Sequence, residues 1–141
     1  MKALVNKRAR ITRVRAAQHL LAASVAASAE AQVNSLETNA AKLATLRDSL
    51  TLPMGPSSGA ILQNRGGLAQ RLDSARHGLD GAIASARVTA EQKAAERLEA
   101  RQRQESAAKL DQRAVKALQD WTEARMAAHF RSKAKNIERE D

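Results

Sequence analysis

From Ile11 onward the apolar positions of the chain step by three and four residues in turn: Ile11, Val14, Gln18, Leu21, Val25, with Gln18 the polar exception. That alternation predicts a helix carrying one apolar seam of the kind that pairs with another helix. Val25 to Ala29 to Val33 then steps four plus four, a stutter that locally relaxes supercoiling, before the alternation resumes through Leu36, Ala40, Leu43, Arg47 and Leu50. Residues 51–58 read TLPMGPSS. Pro53, Gly55 and Pro56 cannot continue a helix, so the first one is expected to stop near Leu50. Ser57 or Ser58 is placed to cap a short helix opening with Gly59, Ala60 and Ile61, and Gly66-Gly67 permits a break before a second long helix.

That second helix has the seam Leu68, Leu72, Ala75, Leu79, Ala82 or Ile83, Ala86 and Ala90. Between Glu91 and Lys109 it thins to Ala94, Leu98 and Ala107. Pairs four residues apart, Glu99 with Arg103 and Glu105 with Lys109, support the helix there by about 0.2 to 0.5 kcal/mol each. Leu110, Ala114, Leu118 and Trp121 restore the stripe. No proline interrupts Leu68 to Ile137, and at the helical rise per residue such a stretch spans about 100 Å. A helix of that length owes its stability to packing, and 1–50 is the natural partner. The expected fold is therefore all-α: a long antiparallel two-helix coiled-coil hairpin with an overhanging C-terminal helix. Its expected parts are a first helix at 1–50, a turn region at 51–67 that can hold a short helix, a second helix at 68–138 and a frayed tail at 139–141. Folding evenly about Pro53 to Ser58 pairs residues whose numbers sum to roughly 110 to 118. Everything after Leu118 then overhangs, including Trp121 and Phe130, which read together as an exposed aromatic partner site.

Composition narrows the picture. Trp121 and Phe130 are the only aromatics, and the absence of cysteine excludes disulfides and thiolate metal sites. The run Leu20 to Ala29 is far too short for a membrane span. It resembles a leader segment, but the helical periodicity continues past Ala29. His19, His77 and His129 have no repeated ligand spacing, no phosphate-cradling G-x-x-x-x-G-K-[ST] run occurs, and Gly66-Gly67 lacks a preceding strand. No enzyme, cofactor or metal site is expected. The formal net charge is +9, and Lys2, Lys7, Arg8, Arg10, Arg13 and Arg15 all precede the first acid, Glu30. Such a block fits phosphates, anionic lipid, an acidic protein cavity or a solvated face. Nucleic acid is disfavoured because no aromatic is interleaved with the cations.

The run Ile11-Thr12-Arg13-Val14-Arg15-Ala16-Ala17-Gln18, followed by an Ala-rich helix, resembles the start of FliJ-type proteins, the central stalk of the bacterial flagellar type III export ATPase complex. The length, the single Pro/Gly turn region, the longer second helix and the basic stretch Arg125 to Arg139 extend that resemblance over nearly the whole chain. It implies a non-enzymatic antiparallel coiled coil similar to the shaft of the rotary ATP synthases, its terminal end entering the pore of a hexameric export ATPase. Lys7, Arg8, Arg10, Arg13 and Arg15, with Arg125, Arg131, Lys133 and Lys135, would then face the ring. The loop-proximal part would contact the membrane-embedded export gate and export chaperones through Leu43, Leu46, Leu68, Leu72, Ala75 and Leu79. Family members tend to carry aromatics there. The resemblance implies a monomer in the cytoplasm, peripheral to the inner membrane at the flagellar base. A basic helical nucleic-acid-associated protein and a self-associating structural coiled coil are the other classes compatible with the sequence.

Overall fold

A computed structural model describes the backbone of residues 1–51, 55–56 and 58–137, and side chains as far as Arg131. Two long helices pack against each other: α1, Lys2–Ser49, and α2, Gly59–Ile137; no strand occurs among the described residues. The Met1 carbonyl accepts from the amides of Leu4 and Val5 at 3.0 and 3.2 Å and opens α1. The helix closes where its periodicity predicts, with Leu50 N–H donating to the Arg47 carbonyl at 3.2 Å and Thr51 N–H to that of Asp48 at 3.1 Å. Ser58 then caps α2, its hydroxyl 3.4 Å from the Ile61 amide and its carbonyl accepting from Leu62 N–H. The expected bend residue Pro53, the alternative cap Ser57 and the tail at 139–141 lie outside the described residues.

One boundary is corrected. The second helix starts at Gly59 rather than 68 and runs without interruption through Gly66 and Gly67. Neither glycine has positive φ, and a Cβ added at either would meet nothing within 4 Å. Glycine permits a break but does not force one, and about nineteen further turns of α2 hold the conformation.

The chain divides into two compact units, each containing a piece of both helices. The first is made of Met1–Leu21 and Leu98–Asp141. The helices run in opposite directions here: Thr12 reaches Ala107, its hydroxyl 3.4 Å from the Ala107 carbonyl, while Met1 and Lys2 line a cleft with Trp121, Arg125 and Met126. The packed face of α1 is Val5, Ala9, Thr12, Ala16 and His19, and that of α2 is Ala100, Gln104, Ala107, Asp111, Ala114 and Leu118. This overturns the expected seam. Ile11, Val14 and Leu21 lie outside it, 37%, 50% and 67% exposed, because Ala9, Ala16, Ala107 and Ala114 let two backbones come close over a continuous line of small side chains.

In the second unit, Ala22–Arg97, the helices again run in opposite directions, with Arg47 bonded to Asp73 at 3.1 Å and Glu37 bonded to Arg87. The seam is Ala23, Ala26, Val33, Ala40 and Leu43 against Leu72, Leu79, Ile83, Ala86 and Ala90. Ala26 and Ile83 are its most buried members. Burial on α1 recurs at seven-residue intervals, Val5, Thr12 and His19 in one unit and Ala26, Val33, Ala40 and Arg47 in the other, so the stutter read from Val25–Ala29–Val33 disappears once small residues are counted as seam. Partners also fall later along α2 than the even fold predicts. The opening of α2, 59–64, is exposed throughout, so pairing starts only at Arg65 and Ala69.

Candidate functional site

Six of the cations singled out by the sequence, Lys2, Lys7, Arg8, Arg10, Arg15 and Arg125, fall into three arrangements, all within the first unit. Arg8 and Arg15 flank Ile11 and line a groove with Arg103 and Leu110 of α2. Both are half-buried because they stand beside the alanine seam. Arg103 in that groove is paired with Glu99, as the four-residue spacing predicts. Glu105, in contrast, pairs with Arg101 at 2.9 Å and not with Lys109. Lys7, Arg10 and Arg15 form a second groove on α1 itself, floored by Ile11 and Val14 and ended by Gln18, whose Oε1 accepts from Arg15 Nη1 at 3.0 Å. Ile11 and Arg15 belong to both grooves, which makes them the centre of the cationic surface.

The third arrangement joins the start of α1 to the later part of α2. Met1 and Lys2 share a cleft with Trp121, Thr122, Arg125 and Met126, and the Arg125 guanidinium stands 5.2 Å from the centre of the Trp121 ring. A cation over an indole face, four residues along the same helix, is worth about 0.5 to 1 kcal/mol at an exposed site. Trp121 is therefore paired with α1 residues, which corrects the placing of an overhang from Leu118. Phe130 is 69% exposed and meets His129 edge-on at 6.3 Å. Phe130 lies nine positions after Trp121, roughly half a turn further around α2, so the two rings do not form one patch.

Arg13 is exposed and folds back on its own helix, Nε 3.5 Å from the Ala9 carbonyl; Arg131 is exposed as well. The side chains of Lys133 and Lys135 lie outside the described residues. The residues implied for the export gate and chaperones divide. Leu43, Leu72 and Leu79 are half-buried in the seam of the second unit, whereas Leu46, Leu68 and Ala75 face outward. Sequence reasoning missed Met1, Arg103 and Met126 as members of the grooves; their signal is the pairing register, which depends on where α2 begins to pair.

Among the described residues no group of three or more His, Asp or Glu is placed to hold a metal, and no helix is long and apolar enough to cross a membrane. The grooves are open and their carboxylates exposed, so the arrangement offers positive charge beside apolar side chains, a binding chemistry. Compared with known proteins, the chain matches no family model, no curated protein and no solved structure.

Proposed function

We propose that the chain is a non-enzymatic central stalk of a bacterial flagellar type III protein export apparatus, seated in the pore of the hexameric export ATPase and promoting its activity. In this reading the helix pair is an antiparallel coiled-coil hairpin with an overhanging C-terminal helix, and the outward Leu46, Leu68 and Ala75 meet the export gate or chaperones. The protein works in the cytoplasm, against the inner membrane at the flagellar base. The observation that carries the proposal is the gathering of cations from both chain ends in one unit, Lys2, Lys7, Arg8, Arg10 and Arg15 with Arg103 and Arg125. A cationic helix pair in an acidic pore contacts some subunits more than others and so biases their states.

The test is the ATP hydrolysis rate of the export ATPase from the same genome, at about 150 mM salt where loose charge attraction is screened. Stimulation saturating at a small ratio of stalk to ring is expected. Lys7→Glu, Arg10→Glu and Arg13→Glu together reverse exposed charges without touching the seam, so they should abolish stimulation and leave helicity unchanged. Undiminished stimulation by that variant would reject the proposal.

A further inference from the structure

The packing leaves the most regular apolar stripe of α1 largely exposed. Leu4, Ile11 and Gln18 stand seven residues apart, and so do Lys7, Val14 and Leu21; together they trace a heptad seam that begins at the edge of the α2 contact, where Ile11 lines the groove shared with Leu110, and has Val14 and Leu21 on the far side of α1. Leu4 is 50% exposed, Ile11 37%, Val14 50% and Leu21 67%. Surface apolar residues scattered singly need no explanation, but four at seam spacing, two of which, Ile11 and Val14, floor a groove, mark an interaction surface. The close alanine packing on the other side is what frees these larger residues.

We infer that Leu4 to Leu21 is a docking strip for an acidic amphipathic helix of a partner protein, laid along α1 as a third helix. The occupant follows from charge. The strip is flanked by Arg8 and Arg15 on one edge and by Arg10 on the other, and residues 1–29 contain no acid. Positions flanking a helical seam select partners by charge, so the docked helix carries Glu or Asp along both edges of its apolar stripe. Lys7 and Gln18 interrupt the apolar positions and fix the register, one calling for a carboxylate and the other for an amide or hydroxyl opposite it. A second copy of this strip is the wrong occupant, because it would set cations against cations at separations shorter than the screening length of about 8 Å. The inference does not depend on the export-stalk reading.

The test uses the full chain and a designed 21-residue helical peptide with leucine at the two seam positions and glutamate at the flanking positions of each heptad. A second peptide has the same composition with its leucines spread around the helix. One-to-one binding of the first peptide, measured by isothermal titration calorimetry, is expected to be at least about tenfold tighter than binding of the second. Ile11→Gln, Val14→Gln and Leu21→Gln together should weaken the first peptide by at least about tenfold, with the helical circular dichroism signal unchanged because all three side chains are exposed. Equal binding of both peptides would mean charge alone and overturn the inference, as would a triple variant that binds like the parent. A parent chain that sediments as a dimer, converted to a monomer by the same triple variant, would give the strip to a second copy and overturn it as well.

Discussion

At the scale of single residues, small side chains decide the packing. Ala26 is 1% exposed and Ala114 9%, and with Ile83 they are the most buried apolar residues described. An alanine so enclosed has no room for a larger neighbour. Ala26→Leu should therefore destabilise the chain by about 1 to 3 kcal/mol, while Ala27→Leu, one position away and exposed, should change stability by less than about 0.5 kcal/mol. Urea titrations followed at 222 nm check the pair; equal effects would mean that the two helices do not approach closely at Ala26. The same preference explains what the sequence concealed. Ile11, Val14 and Leu21 are a legible seam by size and spacing, and Ala9, Thr12, Ala16 and His19 are a fainter one with the same period. A count of hydrophobicity favours the first, whereas the chance for two backbones to approach closely favours the second, and that term belongs to both helices at once. The cations were legible as a block, but which of them share a groove was not, because grooves depend on the seam.

Element boundaries were read more securely than faces. The end of α1 near Leu50 and the Ser58 cap follow from local chemistry alone: prolines that cannot continue a helix and a hydroxyl that can accept from its first amides. The break at Gly66-Gly67 was expected from local chemistry too, and there the surrounding helix prevailed. Both glycines are helical and face open space, so Gly66→Ala and Gly67→Ala should each stabilise α2 by roughly 0.5 to 1 kcal/mol. A rise in melting temperature with an undiminished 222 nm signal is the expected outcome. A fall would show that the helix bends there in solution and that the glycines serve the bend. The outcome bears on partners as well, since Leu68 and Ala75 lie seven residues apart on the outward face of α2 just beyond these glycines. A continuous helix keeps them in line with each other.

For the whole molecule the governing quantity is the surface it leaves in water. The chain exposes 11159 Å², whereas a compact monomer of 15.2 kDa exposes about 7,100 Å² and its unfolded chain about 22,000 Å². Folding thus removes only about half of the unfolded surface, against roughly 70% for a compact domain of similar length. Because the dependence of unfolding free energy on urea scales with the surface uncovered, its slope should be about 0.7 of that of a compact domain of this length. The unfolding midpoint should be independent of protein concentration, since the cation block of residues 1–29 opposes self-pairing. Equilibrium unfolding at two concentrations a hundredfold apart decides the point. A slope equal to that of a compact domain, together with a midpoint that rises with concentration, would mean that a second copy covers the missing surface and would remove the need for any other partner. The expected shallow, concentration-independent transition leaves a helix pair whose stability is small on its own. Saturating it with the acidic helical peptide should then raise the midpoint, because a ligand that binds only the folded chain adds its binding free energy to folding.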